Sequence, residues 1–135
     1  MSEILIFDTS VIVDDLRTGR HQQKIQSTIG LIRTSSVVLA ELWRGSTTRP
    51  EEGFLRALER NHPVLTPTKK NWIESGQILA KIRAASGFSP DKLRDLHFDL
   101  LIALTAYSHG ARVITCNRSD FELIRRYQKF KLEIW

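Results

Sequence analysis

Ile4-Leu5-Ile6-Phe7-Asp8-Thr9-Ser10-Val11-Ile12-Val13 is the stretch on which the fold turns. A short apolar run meets an acid, two hydroxyl residues follow, and apolar sequence resumes. A run of this length with polar bounds reads as a buried parallel strand. Asp8 then stands at the strand's C-terminal end, where open α/β sheets place their ligands. Thr9 and Ser10 are placed to cap the next helix, and their hydroxyls also reach toward whatever Asp8 holds. An aspartate at such a point is a metal ligand, a nucleophile or only a cap. The acids that join it decide which.

Outward from that strand, Asp14 to Arg17 ends a short helix and Thr18-Gly19 turns the chain. Residues 20–32 carry apolar side chains at Ile25, Ile29 and Ile32, a stripe that predicts a polar helix. Arg33 to Ser36 holds a short second strand or its end, and Ser35 or Ser36 caps a helix from Val37 to Arg44, closed by Gly45. Pro50-Glu51-Glu52 opens another helix, proline first and acids in the first turn, with Phe54, Leu55 and Leu58 inward. Val64-Leu65 is a brief third strand. A helix from about Lys69 to Ala85 places Trp72, Ile73, Ile78, Leu79 and Ile82 on its buried side. Asp95 to His109 is apolar nearly all round, the pattern of a buried helix, and Gly110 stops it. Arg112 to Thr115 is a fourth strand, residues 119–127 a short helix, and Lys131 to Trp135 a last strand.

Strands alternating with helices over short connections argue for an α/β fold, a parallel sheet with helices on both faces. Right-handed crossovers put the strand C-termini on one edge. Asp8 and the loop after Thr115 meet on that edge.

The chain of 135 residues fits one domain, residues 1–135, long enough to bury a core. Twenty Lys and Arg against fifteen Asp and Glu give +5, a modest surplus that suits a polyanionic partner without requiring one. Cys116 is the single cysteine, which excludes an internal disulfide and any Cys-based zinc cluster and suits a cytoplasmic protein. No apolar run reaches transmembrane length, and Met1-Ser2-Glu3 is not the basic start of a signal peptide, so no membrane association is expected.

Several carboxylates stand where burial is costly. Glu41 lies inside Val37-Val38-Leu39-Ala40-Glu41-Leu42-Trp43, where it is either partly exposed, paired to Arg44, or bound to a metal. Asp99 precedes Leu100-Leu101-Ile102-Ala103 and is expected in the first turn of that helix, where it also complements the helix dipole. Asp95, one turn earlier, is expected to be the more exposed of the two. Asp120 sits at the start of the helix after the fourth strand, where a cap is equally natural. Each acid has a structural explanation. Jointly, Asp8, Glu41, Asp99 and Asp120 come from separate elements near helix starts or strand ends. Clustered carboxylates repel one another unless a cation sits between them, and hard divalent ions take oxygen ligands of this kind. The chain has no histidine pair at zinc spacing, no phosphate-cradling glycine loop and no nucleophile elbow.

Asp8-Thr9-Ser10, then Ser36 to Glu41, then Asp99-Leu100-Leu101-Ile102-Ala103, then Val113-Ile114-Thr115-Cys116-Asn117-Arg118-Ser119-Asp120-Phe121 resemble the successive motifs of PIN-domain ribonucleases. Size, order and spacing are similar to those of the VapC-type toxins of type II toxin–antitoxin pairs, over essentially the whole chain. The resemblance implies a three-layer sandwich around a parallel sheet of about four or five strands. It implies a Mg²⁺- or Mn²⁺-dependent endoribonuclease that inhibits growth, usually a homodimer, with RNA as substrate and a cognate antitoxin that blocks the site. By the same resemblance Asp8, Glu41 and Asp99 are the core metal-binding acids. The last motif departs from the pattern, since members often carry an acid where this chain has Asn117. The fourth role is carried to Asp120, with Asn117 as a neutral ligand or water-positioning group.

A water made more acidic by the metal would then attack an RNA phosphodiester. Ser10 and Thr115 are expected either to orient water or substrate or to make capping and strand-end bonds. His97 is either a general acid or a capping or surface histidine. Two rivals stand beside this reading. A phosphatase using Asp8 as covalent nucleophile would carry a second acid two residues on, where this chain has Ser10. A non-catalytic PIN-like module binding RNA or a partner would not need the acids.

Overall fold

The computed structural model describes residues 2–135. The elements are β1 (Ile4–Phe7), α1 (Thr9–Thr18), α2 (Gln22–Ser27), β2 (Leu31–Ser35), α3 (Ser36–Gly45), α4 (Arg49–Asn61), β3 (Val64–Leu65), α5 (Lys69–Ser86), α6 (Pro90–Ser108), β4 (Arg112–Thr115), α7 (Arg118–Arg125) and β5 (Lys131–Ile134). The strands form one five-stranded sheet in the order β3-β2-β1-β4-β5, parallel throughout. β1 is central. The chain builds outward from it to β2 and β3, then returns to lay β4 and β5 on its other side. The switch point of this order lies between β1 and β4, the place beyond whose strand ends open α/β sheets bind their ligands.

Strand alternation sorts the core into two layers. Ile4, Ile6 and Val113 face one side of the sheet, packed with Leu42, Ile82, Leu100, Leu101, Phe121 and Ile124 from the helices. Leu5, Phe7 and Ile114 face the other, under Val11, Ile12 and Ile25 from α1 and α2 and beside Trp135. The result is the expected α/β three-layer sandwich. No helix among the described residues is long and apolar enough to cross a membrane.

Four local expectations are corrected. The helix expected over residues 20–32 is only Gln22–Ser27; Ile29 is 92% exposed and Ile32 lies in β2. Gly30 ends the helical pattern with φ 151°, and Leu31 N–H at once donates to the Glu3 carbonyl, 2.8 Å away, to begin the β1–β2 ladder. In α5 Trp72 and Ile73 are exposed; the buried positions are Asn71, Ser75, Ile78 and Ile82. That stripe hides polar residues because they have partners on α6: Asn71 donates to Ser108 Oγ (3.1 Å), and Ser75 Oγ is 2.9 Å from His97 Nε2. Phe54 likewise stays at the surface of α4 while Leu55 is buried.

The fourth correction bears on function. α6 begins at Pro90 rather than near Asp95, because Ser89 accepts from the Lys92 N–H and Pro90 supplies a preset first turn. Asp99 is therefore in the third turn, beyond the reach of the helix N-terminal dipole.

Candidate active site

Asp8 ends β1 and is the N-cap of α1, held in extended conformation (φ −67°, ψ 157°). Its backbone N–H donates to Ile114 of β4, 2.8 Å away, so the ladder itself fixes where the carboxylate emerges. The side chain is 3% exposed. The Ser10 hydroxyl donates to Asp8 Oδ2 at 2.7 Å and the Thr115 hydroxyl at 2.8 Å. Each hydroxyl in turn accepts from the β4–α7 loop, Ser10 from the Cys116 N–H (3.0 Å) and Thr115 from the Asn117 N–H (2.9 Å). Among the described residues, every hydrogen bond to the Asp8 carboxylate falls on Oδ2. Oδ1 is left for a ligand. Of the two roles open to Ser10 and Thr115 in the sequence, this geometry supports holding the aspartate.

Glu41 extends from α3, half-buried, and accepts a 2.8 Å bond from the Thr9 hydroxyl. Burial raises its carboxyl above the ordinary value, against the Thr9 bond; Asp8 and Asp95 raise it further and Arg44 opposes them. Arg44 does not pair with it directly, since its guanidinium lies over the Phe98 ring, 5.5 Å from the centroid. Asp99 is 8% exposed, and no hydrogen bond reaches its carboxylate among the described residues. Burial, then the charges of Asp8, Glu41 and Asp120, push its pKa up to about 9, with Lys92 pulling the other way. The expected acids therefore share one electrostatic site at the C-terminal edge of the sheet. Asp95 is exposed, as expected.

Asp120 differs from the other three, for both its oxygens are engaged. Oδ1 accepts from Lys92 Nζ at 2.6 Å and Oδ2 from the Asn117 amide at 3.0 Å. Asn117 is the N-cap of α7, accepting from the Asp120 N–H. The last motif is thus a helix start in which Asn117 caps and Asp120 answers it. His97 is not at this edge. It lies between α5 and α6, edge-on to Trp72 at 6.1 Å, and burial lowers its pKa.

Lys92 and Thr9 are the site residues that the sequence did not single out in these roles. A signal existed for Lys92: it lies two turns before Asp99 on the same helix, hence on nearly the same face. The spacing of the acids matters too. Among the described residues, the set that brings three donor atoms within 4.8 Å of one another is Asp14, His21 and Cys116, not these carboxylates. The acids are spaced more widely than that: among the described residues no three of their oxygens lie so close together.

A family model described as PIN domain matches residues 5–127. Among solved structures the chain is similar to VapBC2 from Rickettsia felis bound to a DNA fragment from its promoter, at 21% identity over 98% of each chain, with a TM-score of 0.72. It is similar also to DNA-bound VapBC from Salmonella typhimurium, at 27% identity over 100% of this chain and 99% of that one, TM-score 0.64. A third is VapBC-5 from Mycobacterium tuberculosis, of the VapBC family of toxin–antitoxin systems, at 25% identity over 97% and 96% of the two chains, TM-score 0.58. No curated protein sequence matches the chain.

Proposed function

The chain belongs to the PIN domain family, and from that premise we propose that it is a divalent-metal-dependent endoribonuclease, the toxin of a toxin–antitoxin pair. The observation that carries the reading is Asp99, a buried carboxyl pushed up to about 9 by burial and by three neighbouring acids. A fold that keeps such a group uses it with a cation or as an acid. The all-oxygen donor set fits Mg²⁺ or Mn²⁺. The gap between the acids suits an ion that keeps part of its water shell, as Mg²⁺ does. Similarity to VapBC structures at 25–27% identity supports the toxin role and a cognate antitoxin as partner.

In this reading Asp8, through Oδ1, Glu41 and Asp99 would hold the ion, and Asp120, paired to Lys92, would be a further ligand once free of that pair. Bound there, Mg²⁺ or Mn²⁺ would acidify a water and offset charge on the scissile phosphate. Ser10 and Thr115 keep Asp8 from rotating, and Thr9 does the same for Glu41. Asn117 keeps Asp120 at the mouth of the site. The surplus of basic residues draws an RNA backbone toward an edge whose own charge is negative. The phosphatase alternative gains no support: Ser10, where its second acid would stand, donates to Asp8 itself.

The test is cleavage of single-stranded RNA by purified protein in Mg²⁺ or Mn²⁺, with and without chelator, for wild type and Asp8→Asn. Cleavage that needs the ion and is lost in the variant is the expected result. Cleavage unchanged by chelator, or retained in Asp8→Asn, defeats the assignment. In cells, induced wild type should arrest growth and Asp8→Asn should not.

A further inference from the structure

Beside the acidic edge, in a cluster that shares none of its four acids, donors of three chemistries converge. Asp14 comes from α1, His21 from the residue before α2, and Cys116 from the β4–α7 loop. A carboxylate oxygen, an imidazole nitrogen and a sulfur lie within 4.8 Å of one another. His21 is 7% exposed, and its ring packs against Trp135 with centroids 5.7 Å apart, which fixes its plane. Its Nε2 is 2.7 Å from Asp14 Oδ2 and 3.6 Å from Cys116 Sγ.

One nitrogen thus faces two partners. A proton on Nε2 satisfies Asp14 and leaves the sulfur a weak, long contact. Without that proton, the thiol can donate to Nε2, but the Asp14 oxygen then meets a lone pair. A cation in place of the proton satisfies all three. In a tetrahedral zinc site, nitrogen and sulfur donors stand about 3.6 Å apart, the separation already present between His21 and Cys116. The Asp14–His21 pair would open by roughly 0.6 Å to share the same ion. Asp14 is ionised, held down to about 2 chiefly by the hydrogen bond from Arg20. Arg20 donates to both Asp14 oxygens, at 2.6 Å and 2.7 Å, from a side chain 66% exposed, and its release to solvent would free Oδ2 for the ion.

We propose that Asp14, His21 and Cys116 form a second metal site, for a borderline-soft divalent ion of the Zn²⁺ kind, with a fourth position open to water. A thiolate selects such an ion over Mg²⁺. Binding sends the Cys116 thiol proton, and any proton on Nε2, to solvent. The single cysteine, which alone excludes a cluster of thiolates, here completes a mixed site from three separated positions. The ion would pin the loop whose Cys116 N–H supports Ser10, and through it Asp8.

The experiment is a titration of full-length protein with Co²⁺ in excess Mg²⁺, followed by absorbance. Wild type should take up one equivalent with a thiolate-to-cobalt charge-transfer band that Zn²⁺ abolishes. Asp99→Asn should keep the band, which separates this site from the acidic one. Cys116→Ser should lose it, and His21→Gln should weaken binding at least tenfold. Zn²⁺ should raise the Tm of wild type and not that of Cys116→Ser. Saturating Co²⁺ without the band overturns the proposal. Full affinity in His21→Gln also overturns it, by reducing the signal to a lone reactive thiol.

Discussion

Asp99 is the residue at which stability and chemistry pull apart. Its folded pKa is about 9 against an ordinary 3.8. Between those values the folded protein holds a proton that the unfolded chain has released, so metal-free stability falls as pH rises from about 4 to 9. Asp99→Asn removes that slope. In chelator it should melt higher than wild type, by several degrees at pH 8 (about 1 kcal/mol or more) and by less at pH 5. Equal melting at both pH values would mean that Asp99 is not the strained group. Lys92 gives a second test. Its ammonium neutralises Asp120 from a side chain 37% exposed. Lys92→Ala should tighten Mg²⁺ binding several-fold by calorimetry, because the ion no longer competes with a fixed cation; weaker binding would assign Lys92 to substrate rather than to restraint. Asp8 was readable because a strand end followed by hydroxyls is a local pattern. The Lys92–Asp120 pair was not, because it joins residues from two helices that only the sheet's closure brings together.

Gly30 shows at the level of an element why residues 20–32 misread. Ile25, Ile29 and Ile32 have helical spacing, and nothing in that spacing says the chain must stop to enter the sheet. A Cβ on Gly30 would lie 2.8 Å from the Glu3 carbonyl and 2.9 Å from Leu5 Cδ1. The first obstacle is backbone immediately before β1, tied into the ladder by the Leu31 N–H, and cannot give way. Gly30→Ala should therefore cost about 2 kcal/mol or more, since β2 must shift along β1. Gly19, at φ 70° with open space around it, should cost only about 1 kcal/mol when replaced by alanine. Comparable losses for the two in urea unfolding would show that backbone conformation, not the close approach, governs Gly30. The start of α6 was legible in Ser89-Pro90 and was nevertheless placed too late. The polar stripe of α5 was not legible at all, because Asn71 and Ser75 are buried only by virtue of their α6 partners.

For the whole molecule, alternation of strands and helices was enough to reach a parallel sheet with its acids on one edge. The strand order adds that the edge opens between β1 and β4. That arrangement has a consequence for how the protein breathes. Asp8 directly follows β1 and Thr115 ends β4, two of the three strands with neighbours on both sides, and the Asp8 amide extends their ladder. Their amides should exchange with deuterium only when the entire chain opens, whereas α2 and the two-residue β3 should exchange through small local fluctuations. Mass-resolved exchange would check this; fast exchange at residues 5–8 would contradict it. Asp8, at the end of a slow-opening strand, anchors an acidic cluster whose other members Glu41, Asp99 and Asp120 come from α3, α6 and α7, so loosening near the strand does little to relieve it. The cluster's tension is anchored where the backbone yields least, so it is relieved by charge and not by movement: by the proton on Asp99, by a bound ion, or by a partner's positive charge.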